Sequence, residues 1–209
     1  KILDAIETSK NTTLDAFIAS LGIPLIGRTV AKELIKHISS YDEFRELVKN
    51  KFDISEANYL WCSDITELKC YKTKLYLCGI IDVASRRIVG WSIAKNQTQK
   101  LVQDALIMAI GRNPKRPQGA VYHSDRGCQY TAKKTKNLVE ENGFRKSMSR
   151  PGTPSDNQPI ESFWKTLECE MEDIKKLSYG EAERAIVNYI ELYYNSERLH
   201  SGIGYCIPN

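Results

Sequence analysis

The chain has 209 residues, of which 42% are hydrophobic and 27% charged, with a formal net charge of +4. That is the make-up of a globular protein with material for one good core or two small ones. No apolar run reaches the roughly 18 residues a membrane span needs, and no signal peptide opens the sequence, so the expectation is a cytoplasmic protein with no membrane contact. Cys62, Cys70, Cys78, Cys128, Cys169 and Cys206 form neither a C-x-x-C pair nor zinc-type spacing, and are expected as reduced thiols rather than metal ligands.

Two textures follow one another. Residues 1–52, within a first part that runs to residue 54, read as helical throughout, in the stretches "LDAIETSK", "TTLDAFIASLGI", "GRTVAKELIKHI" and "SYDEFRELVKN". Leu14, Phe17, Ile18 and Leu21 recur at helical spacing, Thr12 or Thr13 is placed to cap them, and "GIPLIG" is short enough only for a tight hairpin between helices. This part balances 8 Lys/Arg against 8 Asp/Glu.

From residue 55 onward the pattern changes. "ANYLWCSDITEL" and "KLYLCGIIDVASRRIVGWSIA" are rich in β-branched and aromatic residues, with Ser85–Arg86–Arg87 as a hairpin turn. A helix is predicted over Thr98–Arg112, then a strand at "GAVYHS", a helix near Ala132–Asn142, a short strand at "FRKSMS" and a loop at "RPGTPSDNQP". Two helices close the chain. The first carries Ile160, Phe163, Trp164, Leu167 and Met171 on one stripe, with Pro159 in its first turn and Asp156 or Asn157 as its cap. The second opens on the capping box Ser178-x-x-Glu181 and aligns Ala182, Ala185, Ile186, Tyr189, Ile190 and Tyr193. Strands followed by alternating helices and strands imply an α/β mixed sheet flanked by helices. Charge is uneven: residues 112–150 carry 10 Lys/Arg against 3 Asp/Glu, and residues 151–200 carry 5 against 10. A basic band beside an acidic one suits a polyanion near a metal site, although a solvated face would read the same way.

Three carboxylates sit where apolar elements end or border the core. Asp64 lies inside the strand "LWCSDITEL", where an acid is costly unless it meets a partner, a metal or water. Asp125 follows the strand "AVYHS", at the carboxyl end where open α/β sheets place their sites. Glu161 lies beside the buried stripe of its helix. Taken singly, each is as well explained as a cap, turn or surface residue. Clustered, they would repel one another unless a cation joined them, and hard oxygen ligands suit Mg²⁺ or Mn²⁺, as two ions about 4 Å apart in phosphoryl transfer.

The motifs "WCSDIT", "YLCGIIDVASRRIVGW", "HSDRGCQYT", "SMSRPGTPSDNQPIESFW" and "YIELYYNSERLHSGIGY", with 35 residues between Asp125 and Glu161, resemble the catalytic core of insertion-sequence transposases of the IS-three family, related to retroviral integrases. The resemblance spans about residues 58–209. It implies a ribonuclease-H-like fold for a domain at 55–209, with Asp64, Asp125 and Glu161 as catalytic metal ligands. It also implies metal-dependent 3′-end cleavage and strand transfer on DNA, namely transposon ends and target, by a homo-oligomer. Lys146 and Arg150, from the basic band, and Lys165 are expected DNA contacts. His123 is expected to pack or to approach phosphate, and Gly127 to turn the chain away. The family often carries Lys seven residues after its catalytic Glu; here that position is Glu168, which would repel phosphate where Lys165 attracts it.

The stretch "TTLDAFIASLGIPLIGRTVAKELIKHI" resembles a helix-hairpin-helix segment of bacterial NAD-dependent DNA ligases, over about residues 1–54. The resemblance points to Gly27 and Arg28 as phosphate contacts through the hairpin and a helix N-terminus, although Leu25 stands where many such motifs have another glycine. The ligase K-x-D-G motif is absent, so nick sealing is not expected. The helix-turn-helix that recognises transposon ends is also not found in these residues. Two expectations stand: a catalytic core, inactive if end recognition is lost, or a chimeric protein that holds DNA through the hairpin and basic band without chemistry.

Overall fold

A computed structural model describes residues 13–20, 31–32, 35–36, 38–40, 43, 56–149, 154–171 and 173–208. The chain divides into two units, Lys1–Asp53 and Ile54–Asn209. In the first, helix α1 spans Leu14–Ser20 and starts directly after Thr13, whose carbonyl accepts from the Phe17 N–H at 2.9 Å. Ile18 of its apolar stripe is fully buried, whereas Phe17 remains 38% exposed. Further on, Ser40 Oγ accepts from the Glu43 N–H and the Glu43 carboxylate takes the Ser39 N–H. Gly27 and Arg28 lie outside the described residues.

In the second unit, segments rich in β-branched and aromatic residues build a meander: β1 (Leu60–Cys70), β2 (Thr73–Asp82) and β3 (Ile88–Ala94), paired antiparallel. The β2–β3 turn contains Ser85–Arg86–Arg87 as expected, and Arg86 takes a left-handed φ of 62°. Helix α2 (Gln99–Arg112) then crosses over, and β4 (Val121–Ser124) enters parallel to β1, followed by β5 (Arg145–Met148) parallel to β4. A single helical turn at Cys128–Thr131 and helix α3 (Lys133–Glu141) link those two strands. The sheet order is β3-β2-β1-β4-β5.

Each sheet face has its own core. Trp61, Ile80, Tyr122 and Phe144 pack with Leu101, Val102 and Ala105 of α2. Gly90 permits that closeness: a Cβ there would lie 2.4 Å from the Ala105 carbonyl oxygen. The other face packs Cys62, Leu75, Leu77 and Ile81 against helix α4 (Gln158–Glu170) and helix α5 (Tyr179–Asn188). Ile160, Phe163, Trp164 and Leu167 form the buried stripe of α4, and the Ser178–Glu181 capping box starts α5. The cap of α4 differs from expectation. Asn157 occupies the cap position without capping, because its side-chain amide instead donates to the Ser63 carbonyl at 3.0 Å.

A second difference lies at the end of α5. Tyr189–Tyr194 is π-helical, with the Asn195 N–H bonded to the Ile190 carbonyl. The wider turn shifts the buried stripe by one residue. Tyr193, expected inside, is 41% exposed, and Tyr194 is buried in its place. The same shift lets Asn195 bond both the N–H and the carbonyl of Ile88, covering the edge strand β3. All six cysteines are free thiols.

Candidate active site

Strand register brings the first two acids together. Ser63 of β1 lies beside Ser124 of β4, so Asp64 and Asp125, one residue further along each parallel strand, meet at the same end of the sheet. Asp64 is half-buried and Asp125 exposed. Gly127 shapes the chain beyond Asp125: its N–H donates to Asp125 Oδ1 at 2.9 Å, and a Cβ at 127 would sit only 3.1 Å from that oxygen. The loop is fastened at both sides. Arg126 Nε donates to the Ser149 carbonyl at 2.9 Å, and the Ser149 N–H donates to the Ser124 carbonyl at 2.9 Å.

Glu161 comes from the first turn of α4 and is half-buried. Three residues later, Trp164 Nε1 donates to Asp64 Oδ2 at 2.9 Å. The indole reaches that position because Asp64 pairs with Gly79 across the β1–β2 ladder. A Cβ at Gly79 would come within 2.7 Å of the Trp164 ring. The result is one strand, one strand end and one helix start converging on neighbouring carboxylates.

Their charges are felt. Burial pushes the Asp64 carboxyl up to about 6; the Trp164 and Ile65 N–H groups oppose that rise, and the nearby Glu161 and Asp125 add to it. None of the three acids joins an ion pair among the described residues. Nor, among those residues, do three His, Cys, Asp or Glu side chains already form a metal cage. The donor set nevertheless fits a hard divalent cation: it offers oxygens alone, and among the described residues no ion pair offsets its mutual repulsion.

The expected DNA contacts divide. Lys165 is exposed on α4, one turn beyond Glu161, and Glu168 is exposed one turn further, beside a groove of about 570 Å³ that Glu67, Lys69 and Lys175 also line. Lys146 is placed elsewhere. It pairs with Tyr122 in the β4–β5 ladder, on the sheet face opposite Asp64, and its ammonium donates to the Tyr130 carbonyl at 2.5 Å. Burial pulls its pKa down. A residue spacing could not reveal this, because strand parity decides the face. Arg150 lies outside the described residues. His123 is buried, with its two ring nitrogens on Ser147 and Ser149, and burial lowers its pKa, so it packs as a neutral ring. Arg198 of the "RLH" stretch grips Glu170 through Nε and Nη2, a structural bond.

Sequence reasoning missed Gly79 and the polar duties of Trp164 and Asn157. Trp164 lies on the same helical side as Glu161, which was a usable signal. Gly79 was not readable without the strand register.

Two family models match this unit, each described as an integrase core domain, at residues 55–154 and 142–208. Over those residues the chain matches the integrase core domain. Relatives similar to this chain include insertion-sequence transposases. The transposase for insertion sequence element IS904 of Lactococcus lactis subsp. lactis (strain IL1403) is 40% identical over 163 residues, which cover 78% of this chain and 64% of that transposase. Transposase InsF for insertion sequence IS3A of Escherichia coli (strain K12) is 39% identical over 163 residues, 78% of this chain and 56% of that protein. The chain thus spans 56% to 64% of the length of these two relatives. Among solved structures, a chain of the simian T-cell lymphotropic virus intasome in complex with PP2A regulatory subunit B56 gamma is similar at TM-score 0.52 and 18% identity, covering 68% of this chain and 50% of that one. The fold is therefore that of integrase cores. Residues 1–54 fall outside the matched span.

Proposed function

We propose that residues 55–209 form the catalytic core of a DNA transposase in which Asp64, Asp125 and Glu161 hold Mg²⁺ or Mn²⁺ and direct 3′-end cleavage and strand transfer. The observation that carries this reading is the placement of Asp64 and Asp125 at one sheet end through the β1–β4 register, with Glu161 in the first turn of α4 near Asp64 and no ion pair on any of the three among the described residues. When bound, a pair of divalent ions activates the attacking oxygen and stabilises the leaving one. The chain's residues prepare that step. β1 and β4 fix two carboxylates at one sheet end, and α4 brings the third from its first turn. The Gly127 N–H keeps one oxygen of Asp125 turned to the loop. Lys165, exposed a turn beyond Glu161, offers a cation to a DNA phosphate, while Glu168 weakens that attraction. The working form is a homo-oligomer on DNA. Among the described residues, no helix is long and apolar enough to cross a membrane.

The test is nicking of supercoiled plasmid in Mn²⁺ or Mg²⁺ by the full chain, compared with Asp125→Asn. Nicking present in the wild type and lost in the variant supports a metal site at these acids. Equal nicking by both, or none by either, contradicts a catalytic role for this chain; the second result, with DNA still bound, favours the chimeric binding protein.

A further inference from the structure

Helix α4 reaches β1 through two side-chain donors that bracket Glu161. Asn157, four residues before it, donates to the Ser63 carbonyl at 3.0 Å, and Trp164, three residues after it, donates to Asp64 Oδ2 at 2.9 Å. Adjacent residues of one strand therefore receive both bonds. Trp164 is only 5% exposed, and its ring is pinned: Gly79 leaves room beneath it, and Phe163 lies beside it with ring centroids 5.0 Å apart. A donor held this firmly dictates where the acceptor points. The other two tryptophans have different partners, since Trp61 Nε1 donates to Asn58 Oδ1 and Trp91 Nε1 to Glu191 Oε1. Indole donors also serve as purely structural bonds here, so position alone distinguishes Trp164.

We propose that Trp164 is a positioning residue that fixes the rotamer of Asp64 and ties it to the helix carrying Glu161. This rests on the reading of Asp64, Asp125 and Glu161 as a shared cation site. A ligand carboxylate is oriented by the hydrogen bond it accepts, and loss of such a bond typically weakens metal affinity about 10- to 100-fold. The indole bond does two things together. It removes rotamer freedom from Asp64, and it compensates part of the cost of keeping that carboxylate ionised beside two others.

The substitution that isolates the bond is Trp164→Phe, which keeps an aromatic ring over Gly79 and removes the N–H. Mn²⁺ binding by the full chain is measured by electron paramagnetic resonance for the wild type, Trp164→Phe and Asp64→Asn. The expected result is a half-saturating Mn²⁺ concentration at least about tenfold higher in Trp164→Phe. Equal affinity in Trp164→Phe, with Asp64→Asn weakened, overturns the positioning role and leaves the cation site standing. Equal affinity in all three overturns the cation site itself. A readout independent of folding of the variant comes from the indole N–H resonances of ¹⁵N-labelled wild type. Trace Mn²⁺ should broaden the Trp164 signal before those of Trp61 and Trp91, and Asp64→Asn should shift the Trp164 signal alone. A Trp164 resonance indifferent to both overturns the proposal.

Discussion

Asp64 and Asp82 lie on paired neighbouring strands, and burial pushes both carboxyl groups up. Their surroundings then part company. Asp82 is 1% exposed yet answered on every side: Oδ1 accepts the Asn58 N–H at 3.0 Å, and Oδ2 accepts the Ser85 N–H at 3.0 Å and the Ser85 hydroxyl at 2.6 Å. The Ser85 bonds close the β2–β3 turn and the Asn58 bond ties it to the segment before β1, so Asp82 is architecture. Among the described residues Asp64 receives one side-chain bond, from Trp164, and lies near Glu161 and Asp125. An acid surrounded by donors holds a fold together, whereas an acid beside two others is the kind of group the proposed cation would answer. Glu170 makes the same point from the surface. Arg198 and Tyr189 satisfy it, and its pKa is lowered, chiefly by Arg198.

The comparison can be broken in several ways. The largest effect belongs to Asp125→Asn, which is expected to reduce metal-dependent nicking by roughly a thousandfold while the thermal midpoint stays within about a degree of wild type. Residual nicking near the wild-type rate would place the chemistry elsewhere. Next, Asp82→Ala should cost about 3 kcal/mol, because it orphans three donors around a closed turn. Calorimetry should read this as a midpoint lowered by roughly 10 °C, and a change under about 2 °C would remove Asp82 from the architecture.

Asp64→Asn should move stability the other way when no divalent cation is added. The folded-state pKa of Asp64, about 6, exceeds the ordinary aspartate value of 3.8. The folded chain therefore binds more protons between these values. The stability this group contributes is fully present below about pH 4 and lost as pH rises through about 6. Removing the ionisable group should thus stabilise the chain at pH 7, by up to about 3 kcal/mol, and flatten that pH slope. A destabilised variant with the slope intact would show that the neighbouring acids do not strain the site. The smallest effect is Glu168→Lys, which should raise DNA affinity roughly threefold at low salt and less at high salt. Binding that does not change at low salt would detach this end of α4 from the DNA path.

Much of this was legible in the residues. The β-branched and aromatic strands of 60–94, the helix ending at Arg112, the α4 stripe and the Ser178–Glu181 box emerge at the expected positions because each is a local pattern. The three acids were readable as a spaced set, and parallel pairing of β1 with β4 brings the first two to one sheet end. What escaped was set by long-range geometry. Lys146 turned to the far face through strand parity, Tyr193 turned outward through the π-helical turn, and Trp164 looked like core because its polar end meets a partner 100 positions away.

The most direct test of the central claim is the thermal midpoint of the full chain against Mn²⁺ concentration, for the wild type, Asp64→Asn, Asp125→Asn and Glu161→Gln. A cation shared by the three acids binds the folded chain alone and raises its midpoint. The account predicts a rise in the wild type that is lost in each variant. A rise of equal size in all four proteins would contradict it.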